Sequence, residues 1–255
     1  MRILMIGDVV GRPGRHAVAE ALPRLRAQHQ VDLVIANGEN AAGGRGLTPD
    51  TAAELFAAGV DVLTSGNHIW KQQEILPLLD TDAPILRPLN YPRGVPGRGF
   101  LVRGAVLVVN LMGRMFMDDL DCPFAAMDDL LAREKAPCVV VDVHAETTSE
   151  KAALAWYLDG RVTAVLGTHT HVPTADTRLL PRGTAFVTDV GMVGPQDSIL
   201  GVRVDAVVEH FMTRLPARFH VAAGAVQFNA VLVEADSNSG RASRIVRVDE
   251  LVNGD

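Results

Sequence analysis

The strongest constraint on the fold is a regular alternation of strand-length apolar runs with helix-length amphipathic segments. The predicted strands are residues 2–6, 32–36, 61–63, 105–110, 138–143 and 163–166. The predicted helices are residues 14–28, 49–58, 72–79, 125–135 and 150–158. Because strands separated by helices pair in parallel through crossover connections, the alternation predicts an α/β fold.

Local signals mark the ends of two of these helices. Thr48 precedes a first-turn proline, and Thr147 with Glu150 has the spacing of a capping box. Gly59 and Gly160 lie where the corresponding helices should end. These positions support the predicted helix boundaries independently of the apolar pattern.

The last third of the chain has a different pattern. Strand-like runs with turn signals between them lie at residues 178–180, 184–187, 225–233 and 244–248. They predict added, partly antiparallel strands or a second sheet packed on the first. Earlier in the chain, the proline- and glycine-rich stretch 87–99 and the stretch 112–122 predict a flap-like insertion near 87–122. Without a linker or repeat in the sequence, we expect residues 1–255 to form a single domain.

Polar side chains cluster where the predicted strands end. These strand ends carry Asp8, Glu39, Asn40, Asn67, His68, His144, His169 and His171. The carboxyl ends of neighbouring strands in an α/β sheet face one crevice, so these side chains should converge there. Carboxylates, imidazoles and amide oxygens are all metal ligands, and the sequence therefore predicts a metal centre at this edge.

The residue types also indicate the metal and the substrate. No cysteine is among the candidate ligands, which favours iron, manganese or zinc. From a turn, His169 and His171 can reach two ions, which Glu39 could bridge. Two divalent ions outweigh the negative charges of Asp8 and Glu39, so the site should attract an anion. Such ions can generate a nucleophile at neutral pH and hold an in-line displacement at phosphorus.

Charge and cysteine content exclude several other classes of protein. The formal net charge of -6, without a basic stripe, argues against a long nucleic acid as partner. No apolar run approaches the roughly 18 residues of a membrane helix, and the N-terminal strand does not resemble a signal peptide. Cys122 and Cys138 cannot form a disulfide framework or a thiolate zinc site. We therefore expect a cytoplasmic protein without a membrane partner.

The strand-end motifs resemble those of a known enzyme family. Asn67-His68 after a glycine, and His169-Thr-His171 after Gly-Thr, resemble the motifs of calcineurin-like metallophosphoesterases. The strings IGDVVGRPG at 6–14, NGEN at 37–40, TSGNH at 64–68 and TDVGM at 188–192 resemble more closely the bacterial YmdB-like branch. This resemblance implies the four-layer α/β/β/α sandwich with two mixed sheets that is typical of metallophosphoesterases.

The resemblance also implies a set of ligands. The implied ligands of one ion are Asp8, Glu39, Asn40 and His171. Those of the second ion are Glu39, Asn67, His144 and His169, so that Glu39 is the bridge. Compared with the wider superfamily, a histidine two residues after Asp8 is missing, and Glu39 stands where a bridging aspartate is usual. Both departures match the YmdB-like branch, in which Asn40 would fill the open position.

The implied activity is hydrolysis of small cyclic nucleotides by a phosphodiesterase with two ions of iron or manganese, or of zinc. Both 2',3'-cyclic and 3',5'-cyclic nucleotides are candidate substrates. A metal-activated hydroxide would attack phosphorus, and His68 would contact the phosphate and protonate the leaving ribose oxygen. The alternatives are a phosphomonoesterase acting on a small metabolite, a nuclease, or a regulatory protein that binds metal and nucleotide. The intact set of catalytic residues favours an enzyme.

Other residues give weaker indications. Arg12 and Arg15 could contact a phosphate, although a solvated position at the helix start is the plainer alternative. Within the predicted flap, candidates to stack a nucleobase are Asn90, Tyr91, Arg114 and Phe116. Candidates to orient a ligand are Asp142, Glu146 and Asp189. The flap and the apolar segment 199–208 could supply the interface of a homo-oligomer.

Overall fold

The computed structural model describes residues 1–253, so the predicted domain end at residue 255 lies outside the described residues. The strands are β1 (Arg2–Val9), β2 (Leu33–Asn37), β3 (Val62–Thr64), β4 (Phe100–Arg103), β5 (Val106–Met112), β6 (Cys138–His144), β7 (Ala164–Thr168), β8 (Arg178–Leu179), β9 (Ala185–Val187), β10 (Met192–Pro195), β11 (Val226–Phe228), β12 (Ala230–Ala235), β13 (Ala242–Arg247) and β14 (Glu250–Val252). The helices are α1 (Gly11–His29), α2 (Pro49–Ala57), α3 (Leu76–Leu79), α4 (Pro123–Arg133), α5 (Thr148–Leu158) and α6 (Val204–Thr213).

These strands form two mixed sheets. The first sheet has the order β13-β12-β1-β10-β11-β14, with β2 paired to β1 and β3 paired to β2. The second has the order β4-β5-β6-β7-β9-β8. Strand β1 is parallel to β2 and β10 and antiparallel to β12, so the two ends of the chain share one sheet.

Alternation along β1 shows how the layers are stacked. Leu4 and Ile6 face the core formed with α1 and α2, whereas Ile3 and Met5 face the core between the two sheets. A third core, which includes Val141 of β6, lies between the second sheet and helices α4 and α5. The predicted α/β class and the α/β/β/α sandwich with two mixed sheets are therefore confirmed.

Two predicted elements differ from those observed. The run 225–233 is two strands, because the chain changes pairing partner at Asn229: β11 pairs with β10 and β14, and β12 pairs with β1 and β13. The predicted helix 72–79 is a 3-10 turn, Gln73–Ile75, followed by the single turn α3. Pro77 lies in that turn and has no N–H with which to extend a longer helix.

The capping box predicted for α5 does not form, and its glutamate has another role. The Thr147 hydroxyl has no hydrogen-bond partner among residues 1–253. The Glu150 carboxylate instead accepts hydrogen bonds from the backbone N–H groups of Arg114, at 3.0 and 3.1 Å, and Met115, at 3.3 Å. Thr48 does cap α2, but its reciprocal partner is Thr51. Glu150 thus ties the segment after β5 to α5.

The chain between residues 87 and 122 is not one continuous loop. It contains the hairpin of β4 and β5, which belongs to the second sheet, with irregular segments on both sides. The Asn90 amide joins these segments, because it donates to the carbonyl oxygens of Met112, at 2.8 Å, and Asp121, at 3.0 Å.

Among residues 1–253, no helix has the length and apolar character needed to cross a membrane.

Candidate metal centre

The two sheets bring the predicted ligands together at their carboxyl edges. Asp8 lies in β1, Glu39 and Asn40 follow β2, Asn67 and His68 follow β3, His144 ends β6, and His169 and His171 follow β7. Strands β1, β2 and β3 are parallel in the first sheet, and β6 and β7 are parallel in the second. Each sheet therefore presents the carboxyl ends of these strands at one edge. The crevice therefore lies where the edges of the two sheets meet.

One group of side chains converges around Glu39. Its Oε1 lies 3.1 Å from His144 Nε2, which in turn lies 2.9 Å from His169 Nδ1 and 3.3 Å from Asn67 Oδ1. One ligand atom each from Glu39, His144 and His169 lie within 4.8 Å of one another. Because unprotonated nitrogens and carboxylate oxygens all present lone pairs, this arrangement fits a cation at their centre.

A second group lies on the other side of Glu39. Asp8 Oδ1 lies 3.5 Å from Asn40 Nδ2 and 3.7 Å from His171 Nε2. Asn40 Nδ2 also lies 3.1 Å from His171 Nε2 and 3.5 Å from Glu39 Oε1, while Asn40 Oδ1 lies 2.8 Å from His68 Nδ1. A half-turn of the Asn40 amide would present its oxygen to Asp8 and His171, as metal ligation requires.

Burial and mutual charge shape the electrostatics of the crevice. Burial raises the pKa of Asp8. Burial would also raise the pKa of Glu39, but His144 outweighs it and lowers that pKa to about 2. Conversely, burial disfavours charge on His144, yet Glu39 and Asp8 raise its pKa to about 9. Burial and the charge of His144 lower the pKa of His169 to about 3. The buried carboxylates thus favour a positive charge between them, as a metal site requires.

A hydrogen-bond chain orients His144. The Thr168 hydroxyl donates to Asp142 Oδ1 at 2.7 Å, and its oxygen lies 3.0 Å from His144 Nδ1. With that hydroxyl proton engaged, Thr168 can accept from Nδ1–H, which would leave Nε2 to ligate an ion once one is bound. Asp142 is itself buried, and burial raises its pKa to about 7. Asp142 therefore acts on His144 through Thr168.

We expect Thr168→Val to lower the metal affinity about 10–100-fold, because His144 Nδ1 loses the acceptor that selects its tautomer. Thr64→Val is the matched control, since Thr64 donates to the same Asp142 carboxylate without contacting His144. Chelator competition on the two purified variants measures the affinity. Equal affinities in the two variants would contradict the orienting role of Thr168.

The turn that carries His169 and His171 has an unusual backbone. Their φ angles of 101° and 64° lie in the left-handed region, which costs about 1–3 kcal/mol per residue for side chains other than glycine. Asp8 Oδ2 accepts from His169 N at 3.1 Å, and Glu146 Oε2 lies 3.2 Å from His169 Nε2. Glu146 thus supports the imidazole at Nε2, so that Nδ1 faces the centre.

A buried ion pair anchors Thr170, the residue between these histidines. Asp189 Oδ2 accepts from Thr170 N at 3.1 Å and from Thr170 Oγ1 at 2.9 Å. The same oxygen lies 2.7 Å from Nζ of Lys151, a fully buried lysine of α5. Asp189 is a candidate from its position after a strand, but no sequence signal distinguishes Lys151 within its helix.

Two glycines next to the ligands are required for close approach. A Cβ on Gly66 would lie 2.0 Å from His144 Cδ2, and one on Gly7 would lie 2.0 Å from the carbonyl oxygen of Gly191. Neither glycine has a positive φ. The glycines before Asp8 and Asn67 are therefore sites where another chain segment packs directly on the backbone.

The two arginines near Asp8 have different contacts at the start of α1. Arg12 is exposed on the first turn of α1, with Nε 3.4 Å from His16 Nε2. Arg15 forms an ion pair with Glu54 at 2.5 Å and donates to the carbonyl oxygen of Ala41. Arg15 thus links α1 to α2, which accounts for its position without a phosphate.

The flap residues that are candidates for nucleobase stacking have different environments. The Asn90 amide is fully used in backbone hydrogen bonds. Phe116 is 87% exposed, and Arg114 meets α5 through its backbone N–H. The Tyr91 ring packs edge-on against Trp70, with centroids 4.6 Å apart. Because Trp70 lies two residues after His68, this contact places Tyr91 beside the segment that carries a candidate catalytic residue.

The chain is similar in sequence to a known protein family and to named members of other species. The sequence profile of the YmdB-like protein family matches residues 4–248. A Bacillus subtilis (strain 168) protein named 2',3'-cyclic-nucleotide 2'-phosphodiesterase is 47% identical over 261 aligned residues, which cover 100% of this chain and 98% of that protein. A putative phosphatase/phosphodiesterase of Mycoplasma genitalium is 35% identical, with 98% and 92% covered.

Two solved structures have the same fold. A hypothetical protein from Thermus thermophilus superposes with a TM-score of 0.93 at 49% identity, with 100% of both chains covered. A novel phosphatase from Mycoplasma pneumoniae superposes with a TM-score of 0.95 at 34% identity, covering 100% of this chain and 94% of that one. By its sequence over nearly its whole length, the chain belongs to the YmdB-like protein family.

Proposed function

We propose that the chain is a dinuclear metal-dependent phosphodiesterase that hydrolyses small cyclic nucleotides, with 2',3'-cyclic nucleotides preferred and 3',5'-cyclic nucleotides as further substrates. The name of the B. subtilis relative supports the substrate class. The observation that carries the proposal is the position of Glu39, whose Oε1 lies within 3.5 Å of groups on both sides, His144 and Asn40. One carboxylate between two sets of ligands is the arrangement that a bridged pair of ions needs.

The residues of the crevice suit two ions. Asp8, Glu39, Asn40 and His171 would hold one, and Glu39, Asn67, His144 and His169 would hold the other. Nitrogen and oxygen donors without thiolate favour iron or manganese, with zinc as the alternative. When bound, such ions supply positive charge that attracts a phosphodiester and makes a nucleophile available at neutral pH.

We assign the movement of a proton to His68. Its Nδ1 lies 2.8 Å from Asn40 Oδ1, and its backbone N–H donates to Glu39 Oε2 at 3.0 Å. Because Nδ1 is engaged by the Asn40 amide in either orientation of that amide, Nε2 is the atom left to deliver a proton to the leaving ribose oxygen. Burial lowers the pKa of His68 against the charge of Glu39, which makes a proton on the imidazole easier to release.

We expect His68→Ala to retain its metals and to lose turnover by about 10²-fold or more, the effect of removing a general acid. His29→Ala, at the far end of α1, is the control for loss of an imidazole away from the crevice. Metal content and the hydrolysis rate are measured on the same preparation. An unchanged rate in His68→Ala would remove this residue from the mechanism.

The proposed reaction is tested with matched substrates. Manganese- and iron-loaded protein is assayed with 2',3'-cyclic AMP, 3',5'-cyclic AMP and a phosphomonoester, with and without chelator. Turnover of the diesters that disappears on chelation is the expected result. Turnover of the monoester alone would favour a phosphatase, one of the two activities in the name of the M. genitalium relative. No turnover by metal-loaded protein would favour the regulatory alternative.

The oligomeric state is a separate proposal. Helix α6 overlaps the predicted apolar segment 199–208 and exposes large apolar side chains, with Phe211 at 68% and Met212 at 81%. We infer that α6 contributes to the contact between copies in a homo-oligomer. Light scattering should give more than one chain per particle, and Phe211→Ser with Met212→Ser should lower that number. A monomeric mass for the unaltered chain would contradict the inference.

The charge and the cysteines of the chain bear on its substrate and its location. The net charge of -6 suits a small phosphodiester better than a long nucleic acid as substrate. Both cysteines are free thiols, which is compatible with the proposed cytoplasmic location.

A further inference from the structure

A cavity of about 420 Å³ lies beside α4, and none of the candidate metal ligands lines it. The charged residues that line it are three arginines, Arg87, Arg93 and Arg133, and two aspartates, Asp121 and Asp129. Positive charge therefore exceeds negative charge by one in this lining, although the whole chain is acidic. The volume is within the range of pockets that bind small molecules.

Arg87 is the unusual member of this lining, because its guanidinium is buried without an acidic partner among residues 1–253. The residue is only 8% exposed. Its Nη1 group donates to the carbonyl oxygen of Pro88 at 2.7 Å and approaches that of Leu89 at 3.5 Å. Within the described part of the chain, its buried Nε has no hydrogen-bond partner, and Arg87 forms no ion pair. A buried charge of this kind is costly unless an anion compensates it.

We propose that this cavity is a second binding site, which takes the phosphate group of a nucleoside monophosphate. The planar guanidinium forms paired hydrogen bonds with phosphate oxygens, and Arg93 and Arg133 add charge at the exposed rim. Leu89 and the Tyr91 ring also line the cavity, and they offer an apolar surface to the nucleoside.

The position of Tyr91 relates this site to the metal centre. Tyr91 lines the cavity, and its ring contacts Trp70, which lies two residues after His68. Burial raises the pKa of Tyr91 to about 12, and the charges of Asp118 and Glu39 act in the same direction. Tyr91 thus connects the lining of the cavity to the segment that carries His68. The choice of a nucleoside monophosphate rests on the proposed function, because this is the class of product that a cyclic-nucleotide phosphodiesterase forms.

The test counts bound nucleotide and does not depend on turnover. Equilibrium dialysis of metal-loaded protein with labelled AMP gives the number of AMP molecules bound per chain. Arg93→Ala with Arg133→Ala removes two exposed arginines, and we expect the affinity of one AMP equivalent to fall about tenfold or more. Arg103→Ala with Arg218→Ala is the control for the same change of charge, because both arginines are exposed and lie outside the cavity lining. Identical binding by the two double variants would overturn the proposal.

A third variant tests the buried guanidinium directly. Arg87→Met should abolish the same AMP equivalent, and if this variant does not fold, the rim variant decides. Adenosine should not occupy the cavity, and binding of adenosine as tight as that of AMP would overturn the recognition of phosphate. Inorganic phosphate should bind more weakly than AMP, whereas equal affinities would contradict the assignment to a nucleotide. Because all of these experiments measure binding and none measures hydrolysis, their outcomes do not depend on whether the proposed reaction is correct.

Discussion

Replacing His169 with alanine should give a protein that has lost metal and nearly all hydrolytic activity. Its Nδ1 lies 2.9 Å from His144 Nε2, in the group that also contains Glu39, so the change removes one of the converging donors. We expect the loss of affinity to exceed the roughly 10–100-fold that removal of a supporting partner costs. Elemental analysis and the rate of 2',3'-cyclic AMP hydrolysis are the measurements.

Glu146→Gln is the graded control for this experiment. Glu146 contacts the opposite nitrogen, Nε2 of His169, at 3.2 Å, and therefore supports the imidazole without reaching the centre. Its substitution should reduce metal affinity by no more than about 10–100-fold. Full metal content and full activity in His169→Ala would show that the assignment of this ligand is wrong.

Replacing Lys151 with methionine should destabilise the protein by about 3–5 kcal/mol, because the change leaves a buried carboxylate without its counter-charge. Lys151 and Asp189 have fully buried side chains, and their charged atoms lie 2.7 Å apart. Denaturant unfolding of the metal-loaded protein measures the free energy of unfolding. Adding Asp189→Asn to Lys151→Met should restore part of the loss, since it removes the uncompensated charge.

An exposed ion pair gives the matched control for Lys151. Arg161 lies 2.6 Å from Asp128, but the two side chains are 38% and 45% exposed. Arg161→Met should therefore cost only about 0–1 kcal/mol. A similarly small cost for Lys151→Met would contradict the role that we assign to the buried pair. Metal affinity should also fall in Lys151→Met but not in Arg161→Met, because Asp189 holds Thr170 between two candidate ligands.

Much of the crevice could be predicted from sequence because strand ends are local features. Asp8, Asn67 and His144 each lie at or just after the end of an apolar run, and parallel pairing brings such ends to one edge within each sheet. That rule needs no knowledge of which strand pairs with which, and it predicts the residue types of the centre. It does not predict that the ligands come from two sheets.

The residues that support the ligands could not be predicted in the same way. Lys151 reaches Asp189 across 38 positions of sequence, and Asn37 lies 3.3 Å from Asp142 across 105. Arg87 lies in a proline-rich stretch whose composition predicts a surface loop, yet packing of the irregular segments buries its guanidinium. Local periodicity carries no information about such pairs, because both partners are chosen by the packing of distant segments.

The α/β class, most of the helices and strands, and the polar residues of the crevice can be predicted from the amino-acid sequence, because burial and chain direction leave local patterns. The division of the run through Asn229 between two pairing partners depends on how the strands pack. The packing also brings Thr168 to 3.0 Å from His144 Nδ1 and pairs the buried Lys151 with Asp189, which holds Thr170 between His169 and His171. These features depend on distances between segments that are far apart in the chain, and such distances exist only once the two sheets have packed together.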